Sequence, residues 1–177
     1  MVPRNKKRKT VEMVGRRRVG PPIKQITDQE YAISRFEDRL TNGERLQDFA
    51  AIAEEIYSKK TGLRKLDEMI PIMKGINDPR AEPNAIYRES LYKEISELTK
   101  KEAVAKDFLQ CAKLAEAAST WLIITERKSG RYRSLSRLTR VLHHAQSIMK
   151  EAKPIIMRMS EIKQKEHRES DKAVDKN

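Results

Sequence analysis

Residues 104–122, VAKDFLQCAKLAEAASTWL, decide the fold. Within them Val104, Phe108, Cys111, Ala115, Ala118 and Leu122 step by 4, 3, 4, 3 and 4, a spacing that places all six side chains along one seam of an α-helix. Residues 135–152 repeat the device, with Leu135, Leu138, Leu142, Ala145, Met149 and Ala152 stepping by 3, 4, 3, 4 and 3. Ser129-Gly130 stands between the two stretches, and a glycine just past a helix end takes the left-handed conformation at little cost. Two long helices joined by a short turn predict an antiparallel hairpin whose seams face each other. Small residues at 115, 118 and 145 let the axes approach, and each fully buried Leu or Phe contributes about 1.5–3 kcal/mol.

Toward the N-terminus the helical pattern continues. Thr27-Asp28-Gln29-Glu30 has the form of a capping box, so a first helix begins at Thr27, buries Ile33, Phe36 and Leu40, and ends at Asn42-Gly43. Leu46, Phe49, Ala53, Ile56 and Tyr57 define a second helix that Gly62 closes. Leu63, Leu66, Ile70 and Met73 mark a short or bent third helix, because Pro71 removes a backbone donor inside it. Residues 75–84, with Pro79 and Pro83, read as a loop. Ile86, Leu91, Ile95 and Leu98 then resume the helical period, with a break predicted near Thr99-Lys100-Lys101. Beyond the hairpin, Pro154 predicts a kink before a last piece carrying Ile155, Ile156, Met159 and Ile162, and the chain turns polar near Lys165.

The expectation is therefore an all-α, irregular bundle of five or six helices over residues 25–165. A disordered basic arm over 1–24 precedes it, and a frayed, flexible charged tail over 166–177 follows. Composition agrees: of 177 residues 38% are hydrophobic and 36% charged, against about 25% charged in an average domain, and only 5% are aromatic. Few β-formers and few turn residues disfavour a sandwich or barrel. No repeat with a fixed period of 20–50 residues is visible, which argues against a solenoid.

Charge points to a partner. Residues 1–24 hold nine bases and one acid, Glu12, so +8 of the formal +12 lies there. Such a segment cannot bury enough surface to offset its ordering entropy. Its two clusters, Lys6, Lys7, Arg8, Lys9 and Arg16, Arg17, Arg18, are suited to displacing counterions from a phosphate chain. They also fit a bipartite nuclear-import signal read by an acidic import receptor. No aromatic residue lies among them, so their contacts are electrostatic and indifferent to base sequence.

A second basic group surrounds the hairpin turn: Arg127, Lys128, Arg131, Arg133, Arg137 and Arg140, opposed between 126 and 140 only by Glu126. Arg133, Arg137 and Arg140 share a helix face opposite Leu135, Leu138 and Leu142, so they are expected to project outward, with Tyr132 beside them to stack on a base or on an arginine. Ser134 and Ser136 each follow an arginine by three residues, as in substrates of basophilic kinases.

Little in the sequence points to catalysis or cofactors. It has no phosphate-binding glycine loop, dinucleotide fingerprint, nucleophile elbow or H-E-x-x-H helix. His143 and His144 are adjacent, so they diverge by about 100° on a helix and cannot both ligate one metal. Cys111 lies on an apolar seam and reads as core. One cysteine, no apolar run near 20 residues and no secretory signal predict an intracellular protein without a membrane span; the import-like arm points to the nucleus, with cytoplasm or virion as alternatives.

The expected function is non-enzymatic nucleic-acid binding, RNA in preference to DNA, without cofactor. Its layout of basic arm and helical body is one that viral nucleocapsid and accessory proteins use. The alternative is a nuclear helical adaptor, in which Ile123, Ile124, Ile148 and Ile155 face a protein partner or a second copy in a homo-oligomer.

Overall fold

A computed structural model describes residues 27–130 and 134–174, with side chains through Arg168. Among them the chain forms four helices and no strand: α1 (Asp28–Thr41), α2 (Phe49–Gly75), α3 (Ala81–Ser129) and α4 (Leu135–Val174). Helix α1 begins as its sequence predicts, with the Thr27 hydroxyl accepting from the Glu30 N–H at 3.3 Å. It ends before Gly43, whose φ of +78° suits glycine. Helix α2 starts later than Leu46 suggests, because Asp48 caps it by accepting from the Ala51 N–H at 3.1 Å.

Four helices rather than five or six result from three continuities. Helix α2 runs through both Gly62 and Pro71. Ile56, Leu63 and Ile70 lie seven residues apart and are all buried, so a stop at Gly62 would strip the second half of that stripe from its support. Glycine inside a helix costs about 1 kcal/mol, less than the burial of Leu63 and Ile70 together, at about 1.5–3 kcal/mol each. Pro71 lies one turn from the end of α2, where little helix remains to be disrupted.

Helix α3 passes Thr99-Lys100-Lys101 without a break, and the Thr99 hydroxyl donates back to the Ile95 carbonyl at 2.7 Å. The predicted loop shrinks to residues 76–80. Pro83 falls in the first turn of α3, where a backbone N–H has no intrahelical acceptor to lose. Helix α4 continues through Pro154, flanked by buried Ala152 and Ile155, and runs on past Lys165 to Val174. The stretch after Lys165 is rich in Glu, Lys and Arg, which are good helix formers even without an apolar stripe. The basic arm over 1–24 lies outside the described residues.

Helix α3 is the spine. Helix α2 packs antiparallel on its first half, as the pairs Lys59–Glu94 (2.6 Å) and Asp67–Arg88 (2.6 Å) show. Helices α1 and α4 pack on its second half. One core cluster joins Ile33 and Phe36 of α1, Phe108, Cys111, Ala112, Ala115 and Ala118 of α3, and Leu138, Val141 and Ala145 of α4. A second joins Phe49, Ala50 and Ala53 of α2, Ala105 and Leu109 of α3, and Ala152, Ile155, Met159 and Ile162 of α4.

The two seams thus meet, but the buried face of α3 is wider than one stripe and turned slightly. Ala105 and Ile123 are buried, while Val104 is exposed and Leu122 half-buried, because α3 must serve three partners. Three of the isoleucines expected to face a partner are core instead: Ile123 and Ile155 are buried and Ile148 packs on both clusters. Only Ile124 is exposed.

Candidate nucleic-acid interface

The last turn of α3 carries Arg127 and Lys128, and Gly130 closes the helix in the left-handed region at φ +67°. Both cations are exposed and neither makes an ion pair among the described residues. Part of their role is local, since positive charge complements the carbonyl end of a helix. Arg131, Tyr132 and Arg133 of the turn lie outside the described residues, as do Lys6, Lys7, Arg8, Lys9, Arg16, Arg17 and Arg18. Ser134 precedes α4 and its hydroxyl donates to the Glu126 carboxylate, which ties the start of α4 to the end of α3. Ser136 is exposed.

Arg137 and Arg140 do not form one free face. The Arg137 guanidinium grips both carboxylate oxygens of Glu37 on α1, with Nε at 3.1 and 3.0 Å, and these bonds hold its pKa above the usual arginine value. Arg137 is exposed, as its spacing predicts, but its charge is committed to Glu37 because α1 lies beside α4. Arg140 is exposed and makes no ion pair among the described residues. It lines a groove between α1 and α4 with Glu37, Leu40, Thr41, Val141 and His144. That flank of α1 is different from the one that meets α3.

Elsewhere on the body arginines are largely neutralised. Arg35 and Arg39 share Asp107, at 3.0 and 2.6 Å, Arg80 pairs with Asp78, and Arg158 pairs with Asp48.

Sequence reasoning overlooked Trp121. It falls between the seam residues Ala118 and Leu122, is 54% exposed and lines a groove of about 310 Å³ between α1 and α3. Asp28, Gln29 and Ala32 form one wall of that groove, and Leu114, Ala117, Ala118 and Trp121 the other. A usable signal was present: Trp121 precedes the stripe residue Leu122 by one position, which turns it about 100° away from the seam.

Cys111 is buried, and burial pushes its thiol pKa upward, as expected of a packed rather than a reactive cysteine. His143 and His144 are both exposed on α4. Among the described residues no group of three or more His, Cys, Asp or Glu side chains is placed to hold a metal, and no helix is long and apolar enough to cross a membrane. Compared with protein families, curated proteins and solved structures, the chain matches none.

Proposed function

We propose that this protein binds nucleic acid, RNA in preference to DNA, chiefly through the phosphate backbone and without catalysis. One observation carries the reading. Helix α1 runs antiparallel to α3, so the point where the basic segment joins the bundle, Thr27, lies at the end of the molecule that bears Arg127 and Lys128. Asp28 and Gln29 share a groove with Trp121, and six residues of helix, about 9 Å, separate Trp121 from Arg127. The chain therefore enters the bundle from its +8 segment at the end that also bears Arg127 and Lys128, two cations that make no ion pair among the described residues. Arg35, Arg39, Arg80, Arg88, Arg137 and Arg158 are instead held by carboxylates of the chain itself.

A salt titration tests this. Affinity for RNA should fall steeply with ionic strength, and deletion of residues 1–24 should flatten the log–log slope by about 0.7 for each phosphate that the arm neutralises. The double substitution Arg127→Gln, Lys128→Gln should reduce affinity further and leave the helical circular dichroism unchanged. Absence of RNA retention by the full-length chain at low salt would refute the proposal.

A second reading, an adaptor carried by an import receptor, is favoured by a different feature. Met69, Ile72 and Ile76 at the end of α2, with Ile86 and Tyr87 at the start of α3, are all exposed at the tip of the α2–α3 hairpin. Protein capture abolished by Ile72→Asp with Ile76→Asp, combined with no RNA retention, would establish it in place of the first.

A further inference from the structure

Leu114, Trp121 and Lys128 follow one another at seven-residue intervals on α3, so their side chains stand in a row about 21 Å long on one flank of the helix. Leu114 and Trp121 are about half exposed although both line the groove against α1. The reason is the size of their neighbours: Ala32, Ala117 and Ala118 are too short to cover an indole face. One wall of the groove carries the Asp28 carboxylate and the Gln29 amide. That carboxylate repels phosphate, so the groove itself suits an uncharged planar group, whereas Lys128 and Arg127, nearly two turns further along α3, suit phosphate.

We infer that the groove seats an unpaired nucleobase stacked on Trp121, with the adjoining phosphates on Lys128 and Arg127, so that the preferred ligand is single-stranded RNA. The inference rests on the RNA-binding reading and adds the strandedness of the ligand. In a duplex each base is already stacked on both faces and cannot offer one to the indole, while a single strand can. Gln29 and Asp28 stand where they can meet the polar edge of such a base.

The chain has a single tryptophan, so its fluorescence reports on this groove alone. Full-length protein is titrated with a short single-stranded RNA and, separately, with the duplex formed from that RNA and its complement. The single strand should quench the indole emission and bind more tightly, while the duplex should bind without quenching. Trp121→Ala should weaken single-strand binding about 5- to 150-fold, leave duplex binding unchanged and leave the salt slope intact, and Trp121→Phe should recover part of the loss.

Retention of RNA with unaltered emission in the wild type, and equal affinities for strand and duplex, would overturn the inference while leaving the RNA-binding reading in place. Emission that changes with protein concentration in the absence of RNA would assign the groove to a second copy of the chain and overturn it too. Loss of all RNA retention at low salt would remove both proposals together.

Discussion

Phe108 shows how much one side chain contributes. Its ring is 1% exposed, lies 6.3 Å from the Phe36 ring and carries the Arg39 guanidinium 5.2 Å above it, so it joins α1 to α3 by packing and by a cation–π contact. Phe108→Ala should destabilise the fold by about 3–5 kcal/mol, measured by urea denaturation. A loss below about 1 kcal/mol would mean that the site collapses around the deletion. Asp48 makes a prediction of opposite character. The Arg158 guanidinium, and then the Ala51 N–H that it caps, hold its carboxyl below the ordinary aspartate pKa. A carboxyl whose folded pKa is depressed contributes stability above its unfolded value, near 4, and loses it as pH falls through the folded value. Stability should therefore decline below about pH 4. Asp48→Asn keeps the cap, costs at most about 1 kcal/mol at neutral pH because the ion pair is exposed, and should flatten that acid limb. An unchanged limb would remove Asp48 from the acid response. Both core roles of Phe108 and Cys111 were legible from spacing, whereas the partner of Arg137 was not, since Glu37 lies a hundred residues away in the chain.

At the scale of elements the glycines separate a local signal from a tertiary one. Gly62 sits inside α2 at an ordinary helical φ, and a Cβ built there meets nothing within 4 Å. Gly62→Ala should stabilise the protein by about 0.5–1 kcal/mol, read from the thermal midpoint. Destabilisation would show that α2 is broken at 62 after all. Gly130 has equal space but a φ of +67°, so Gly130→Ala should destabilise by about 1–2 kcal/mol. As a sequence signal the two glycines look alike. They differ because Leu63 and Ile70 continue the buried stripe of α2 beyond Gly62, while the stripe of α3 is not extended past Gly130 and the next one begins at Leu135 on α4. The same reason explains why two predicted helices fused into α3: Leu91 and Ala105 are buried on either side of Thr99-Lys100-Lys101.

For the whole molecule, burial is uneven. The two core clusters occupy α1, the first half of α2, α3 from Ala105 to Ile123, and α4 from Leu138 to Ile162. The far part of the α2–α3 hairpin lies outside both and buries only Leu63, Ile70, Ala81 and Leu91, with five large apolar side chains exposed at its tip. Hydrogen exchange should show residues 63–98 opening at lower free energy than residues 105–123 of the same helix pair. Uniform protection along α3 would mean that the spine opens only as one unit. A molecule arranged in this way has a well-packed end, where the basic segment joins, and a less supported apolar end.

The amino-acid sequence alone determined the helical class, the caps at Thr27 and Gly130, the facing seams of α3 and α4 and the concentration of charge in the first two dozen residues. Each of these depends on neighbours within a few turns. The number of helices, the capture of Arg137 by Glu37, the burial of Ile123 and Ile155 and the exposure of Trp121 were decided by tertiary structure. In each of those cases the deciding group lies on another helix, and helical periodicity carries no information about which helix that will be.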